Sequence, residues 1–127
     1  MKKFYVFLIL FLVLSCNDDV DASVVGDWLL VEVLVDPGDG SGVFNRVSSD
    51  KMISFQSDGT VTSNGIICGI DTETNTPSVG TYSEEDLFFE TDACGIPNQR
   101  FTFEITGSTL TFFAQCIEAC GVRYRKL

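Results

Sequence analysis

Histidine is absent from this 127-residue chain. Without an imidazole, the Ser-His-Asp and Cys-His nucleophile pairs lack a group that titrates near neutrality, and imidazole-based metal sites cannot be built. Basic residues are scarce: 8 Lys+Arg stand against 18 Asp+Glu, a formal net charge of −10. That sign repels the phosphate backbone and anionic headgroups, so no nucleic-acid partner is expected. Long apolar runs are missing as well. The longest, Phe4 to Leu14, has eleven residues, and crossing a bilayer takes about 20. What remains is 45% hydrophobic and contains 11 Phe, 11 Gly and 5 Cys, enough for one domain with a substantial core.

Lys2 and Lys3 ahead of the Phe4–Leu14 run give residues 1–15 the charge and length of a secretory signal. Val13-Leu14-Ser15-Cys16 then resembles the lipobox of bacterial lipoproteins, in which a Cys after a small residue is lipidated and becomes the first residue. The resemblance implies lipidation at Cys16. Simple cleavage after Ala22 is the alternative. Residues 16–23 would be the lipidated Cys and an acidic tether, since Asn17-Asp18-Asp19-Val20-Asp21 has little to bury. Acidic residues just after such a Cys resemble the surface-export signal of Bacteroidota lipoproteins. The expected location is therefore the cell envelope, at the outer membrane or cell surface, with acyl chains as the membrane contact. Removing Lys2 and Lys3 leaves 6 Lys+Arg against 18 Asp+Glu, a net of −12.

From Val24 onward, short apolar runs alternate with turn residues and no helical period is sustained. Eight strands are predicted: 27–35, 51–55, 60–64, 79–83, 87–91, 100–106, 109–114 and 121–126. Their connections alternate in kind. The segments at 56–59, 83–86 and 106–108 are tight turns, whereas 36–50, 65–78, 92–99 and 115–120 are longer. In an up-and-down antiparallel sheet such alternation puts the tight turns at one end and the long loops at the other. Residues 24–127 are accordingly predicted to form one all-β domain, a single up-and-down antiparallel eight-stranded barrel. Eight strands close around an interior that is filled by side chains or holds one small ligand.

Gly26-Asp27-Trp28, Ile53-Ser54-Phe55 running into Ser57-Asp58-Gly59, Gly80-Thr81-Tyr82, and Cys116-Ile117-Glu118-Ala119-Cys120 together resemble the lipocalin-like (calycin-like) domain of small Bacteroidota lipoproteins. The resemblance implies that Trp28 plugs the closed end and that an Arg of the last strand, Arg123 or Arg125, packs on it. A second resemblance is to the META domain, carried by Ser63-Asn64-Gly65-Ile66-Ile67-Cys68, Gly80-Thr81-Tyr82 and Glu90-Thr91-Asp92-Ala93-Cys94.

With Cys16 assigned to lipid, Cys68, Cys94, Cys116 and Cys120 remain. An even number in an exported chain favours two disulfides among three possible pairings. All four lie in or beside long loops, and Cys68 with Cys94 and Cys116 with Cys120 is the favoured pairing. A Cys₄ zinc site is disfavoured, because only Cys116 and Cys120 are closely spaced. No metal and no cofactor are expected.

Among the carboxylates, Glu32 stands out, because strict alternation puts it on the inner face with Trp28, Leu30 and Leu34. Inside, it would contact a ligand; a β-bulge or an ion pair to an Arg would turn it outward instead. Lys51 sits too near a strand edge to read as a buried base. Asp36-Pro37-Gly38-Asp39-Gly40-Ser41-Gly42 carries oxygen ligands but lacks the spacing of a calcium loop, so it reads as a solvated turn. The predicted interior offers Ile53, Phe55, Phe89, Phe101, Phe103 and Phe112 to a small hydrophobic molecule entering at the long-loop end. The leading expectation is a non-enzymatic, lipid-anchored, monomeric binding barrel. The alternative is a ligand-free module whose rim docks another envelope protein or a glycan.

Overall fold

The computed structural model describes residues 23–127; the predicted signal, the predicted lipidation site and the predicted tether up to residue 22 lie outside the described residues. Nine strands follow one another: β1 (Gly26–Val35), β2 (Phe44–Arg46), β3 (Met52–Phe55), β4 (Thr60–Ser63), β5 (Ser78–Ser83), β6 (Phe88–Thr91), β7 (Gln99–Thr106), β8 (Thr109–Phe113) and β9 (Cys120–Lys126). No helix occurs among the described residues. From β3 to β9 each strand pairs antiparallel with the next, and β1 pairs with both β3 and β9. Eight strands thus close into an up-and-down barrel, which leaves few free edges.

The alternation that defines the strands also defines inside and outside. In β7, Phe101 and Phe103 are buried while Thr102 and Glu104 are exposed; the same period of two runs through β3, β4 and β8. Tight turns join β3 to β4, β5 to β6 and β7 to β8, all at one end. Each contains a left-handed residue, glycine in two of them, Gly59 at φ 87° and Gly107 at φ 59°, and Leu87 at φ 53° in the third. Asp58 helps the first by accepting the Thr60 N–H at 2.9 Å.

The short β2 is a departure from the eight predicted strands. Phe44-Asn45-Arg46 shows no apolar alternation, and only the neighbouring edge makes it a strand. The Glu32–Leu34 half of β1 pairs with β2, whereas the Gly26–Leu29 half pairs with β3. The long 36–50 connection therefore folds back and extends the barrel wall on the side that β3 is too short to reach.

Aromatic rings fill the interior. Phe89 stacks on Phe101 with centroids 5.0 Å apart and meets Phe112 edge-on at 5.0 Å. Phe55 tilts against Phe103 at 5.5 Å, and Phe112 lies parallel to Tyr124 at 6.1 Å. Trp28, Leu30, Ile53, Val61, Leu110 and Val122 complete the cluster.

Candidate functional site

The closed end is built around Trp28, which has no exposed surface. Its indole Nε1–H donates to the Val24 carbonyl at 2.7 Å, and the Val24 N–H donates to Glu84 in the β5–β6 turn at 2.7 Å. The cation over the indole is Lys126, with Nζ 5.3 Å from the ring centroid. This corrects the expectation for Arg123 and Arg125. Val122 and Tyr124 face inward on β9, so period-two alternation brings Lys126 inward with them and sends both arginines outward. The Lys126 ammonium also donates to the Ser23 carbonyl, and the Leu127 N–H donates to Asp27 at 2.9 Å, which ties the two ends of the domain together.

Ile53, Phe55, Phe89, Phe101, Phe103 and Phe112 all converge inside the barrel, each between 0% and 3% exposed. They meet one another there, so the interior is packed by its own rings.

Glu32 faces outward, contrary to its assignment as an interior ligand contact. The β1–β9 register shifts between Leu30 and Glu32. This bulge inserts one residue and exchanges the faces beyond it. Val33 consequently packs against the core, while the Glu32 carboxylate accepts from Arg123 at 3.1 Å. Arg123 also lies flat over Phe44 at 3.8 Å, and Phe44 meets Phe113 at 6.2 Å. Phe88 is half-covered by Arg100, 3.8 Å above its ring.

At the long-loop end the structure pairs Cys68 with Cys94 and Cys116 with Cys120, with Cα atoms 6.4 and 6.0 Å apart. The first bridge ties the β4–β5 loop to the β6–β7 loop. Ile67 of the β4–β5 loop dips into the mouth with no exposed surface. Lys51 reaches up from below that loop and is itself fully buried, contrary to the edge position inferred for it. Its ammonium donates to the Gly69 carbonyl at 3.2 Å and the Asp71 carbonyl at 3.0 Å, with the Asp71 carboxylate at 3.5 Å. Burial depresses its pKa and the Asp71 charge partly restores it. Asp36 forms a closed turn: Oδ1 accepts the N–H groups of Gly38, Asp39 and Gly40, and Oδ2 accepts that of Gly42 at 2.8 Å. These bonds, Gly42 first, hold its pKa below the usual carboxylate value. With its oxygens so occupied, the carboxylate serves the loop.

A depression of about 470 Å³ opens beside the Cys68–Cys94 bridge, lined by Ile66, Ile96, Gln99, Phe101 and Gln115 as well as the bridge itself. Phe101 is therefore the one predicted ligand contact that also reaches a concavity at the mouth. The Gln99 side-chain oxygen is buried there without a hydrogen-bond partner.

No protein-family model matches the chain, and no curated protein matches it. Among solved structures, a lipocalin-like protein from Bacteroides uniformis ATCC 8492 is similar over 81% of this chain and 97% of its own, at 20% identity and a TM-score of 0.48. Sequential antiparallel order, eight-strand closure and one Trp-plugged end are already established by the strand pairings and the packing of Trp28. The fold is an eight-stranded up-and-down antiparallel barrel.

In this barrel four residues that matter were not legible. Lys126 and Tyr124 follow from the parity of β9 once Val122 is known to face inward. Lys51 precedes a strand and Ile67 follows one, so neither carries a periodic signal; both are buried because the β4–β5 loop folds over the mouth.

Proposed function

We propose that this protein is a lipid-anchored, non-enzymatic binding module of the cell envelope that engages a small apolar molecule at its long-loop end. The observation that carries the reading is the depression beside the Cys68–Cys94 bridge, with Ile66, Ile96 and Phe101 as apolar walls. Because the interior is already filled, the ligand would sit above the barrel. The volume lies within the roughly 300–1,000 Å³ common for small-molecule sites. Cys16 would supply the anchor, with the tether meeting the domain at the Trp28 end and leaving the loops farthest from the membrane.

Native mass spectrometry of the protein isolated from its own membrane tests this. An adduct of a few hundred daltons, lost in Ile96→Asp, is expected; a bare mass with no methyl shift at Ile66 or Ile96 on adding fatty acids or retinoids would refute it. Trp28 fluorescence is the wrong probe, because the indole is sealed at the opposite end.

A second reading, docking of a protein partner on the rim, rests on a different observation. Among the described residues, six of the eight exposed large hydrophobics, Val35, Val43, Val79, Ile96, Phe113 and Ile117, sit at the long-loop end. The loops there carry Asp36, Asp39, Asp50, Asp71, Glu73, Asp92 and Glu118, so the matching surface is apolar and basic.

A further inference from the structure

Residues 23–127 contain six basic side chains, Arg46, Lys51, Arg100, Arg123, Arg125 and Lys126. Four are committed. Lys51 is held by Asp71, Arg100 by Glu90 and Arg123 by Glu32, while Lys126 caps the Ser23 carbonyl. Arg46 and Arg125 make no ion pair among the described residues, and both line the same cleft.

That cleft, about 340 Å³, lies on the outer wall and is bounded by Val31, Glu32, Arg46, Val47, Ser108, Thr109 and Arg125. Its position follows from the fold. The β1 bulge displaces Val31, and the chain leaving β2 is pinned there by the Val47 N–H to Val31 carbonyl bond at 3.0 Å. Arg46 stands directly across from Glu32, which in turn stands across from Arg123. Arg125 is paired with Thr109 on β8, which brings that hydroxyl to the same wall. Two arginines and one carboxylate line the cleft, and that carboxylate is already paired with Arg123, so the cleft carries a net positive charge in a chain whose total is −10. Neither the Ser108 nor the Thr109 hydroxyl donates a hydrogen bond among the described residues.

We propose that this cleft binds a phosphate group, free or as an ester. Two guanidinium forks with adjacent hydroxyls match the geometry of an oxyanion. Two guanidinium groups and two hydroxyls offer more donors than the two oxygens of a carboxylate can use, and suit the oxygens of a phosphate. Val31 and Val47 offer apolar contact to an ester substituent. The site is on the wall, away from the loop-end depression, and stands independently of the reading given for that depression.

The test is an NMR titration of the full-length protein in zwitterionic micelles, following Ser108 and Thr109 amides and arginine Nε–H signals. The probes are inorganic phosphate, phenyl phosphate and dihexanoyl phosphatidic acid, with chloride at equal ionic strength and dihexanoyl phosphatidylcholine as references. Saturable shifts are expected, with affinity falling at least about tenfold in Arg46→Gln and in Arg125→Gln and holding in Arg100→Gln. Preference for phosphatidic acid over inorganic phosphate assigns a lipid headgroup as the source; comparable affinities assign a soluble phosphate. Shifts that fail to saturate, that chloride reproduces, or that persist in both Arg46→Gln and Arg125→Gln overturn the proposal. Thermal midpoints within a few degrees of wild type show that each variant is folded, and either variant alone suffices for the comparison.

Discussion

Tyr124 is fully buried, stacked parallel to Phe112, and its phenolic oxygen has no hydrogen-bond partner. Leaving a buried hydroxyl unpaired costs about 1–3 kcal/mol. Tyr124→Phe removes the hydroxyl and keeps the ring, so the variant is expected to gain about 1 kcal/mol after the small void is charged against it. For a domain near this size that raises Tm by about 5 °C. Titration sharpens the test. Burial, helped by the Asp71 charge, raises the Tyr124 pKa far above the ordinary 10.0. Above that ordinary value the unfolded chain loses the phenolic proton and the folded chain keeps it, so wild-type stability is unaffected by this group below about pH 10 and falls as pH rises above it. The stability gap between Tyr124→Phe and wild type should therefore widen by about 1.4 kcal/mol from pH 8 to pH 11. Urea unfolding followed by Trp28 fluorescence measures it, and taking the difference cancels every group shared by the two proteins. A destabilised variant would show that the hydroxyl has a partner, and a gap that stays constant with pH would show that it reaches solvent; either refutes the reasoning.

Three further outcomes are expected. Gly80→Ala would place a Cβ 2.2 Å from the Glu90 carbonyl oxygen on the neighbouring strand, and since backbone cannot swing aside, calorimetry should show a loss of about 3 kcal/mol. Lys51→Met cuts the ammonium bonds to the Gly69 and Asp71 carbonyls; amide exchange across residues 65–78 should quicken about tenfold, the equivalent of one charged hydrogen bond of about 1.5 kcal/mol. Because the folded Lys51 pKa lies below 10.5, wild type should also gain stability as pH climbs towards that value, a limb absent from Lys51→Met. Glu32→Gln breaks an ion pair whose side chains are 27% and 39% exposed; solvent screening limits the loss to under about 1 kcal/mol, and added salt should erase it.

The Glu32 and Lys126 results have different causes. Period-two alternation assigns faces correctly as long as no residue is inserted and the starting parity is right. In β7 and β8 both conditions hold, so Phe101, Phe103 and Phe112 were readable as interior. In β1 the bulge after Leu30 exchanges the faces; in β9 alternation is unbroken and puts Lys126 over Trp28, where the family resemblance implied an arginine. A bulge is set by how two strands must twist to close a barrel, and that requirement belongs to neither strand alone.

By itself, then, the sequence determined the all-β class, the alternation of tight turns with long loops, and the apolar residues that fill the interior, because turn chemistry and side-chain period are local properties of the chain. Only the tertiary structure decided that the rings occupy the whole interior, that β2 extends the wall, that Lys51 and Ile67 secure the mouth, and that Arg46 meets Arg125 across a cleft. Each of those depends on which strand edges meet when the barrel closes, and residues far apart in the chain carry no local trace of that encounter.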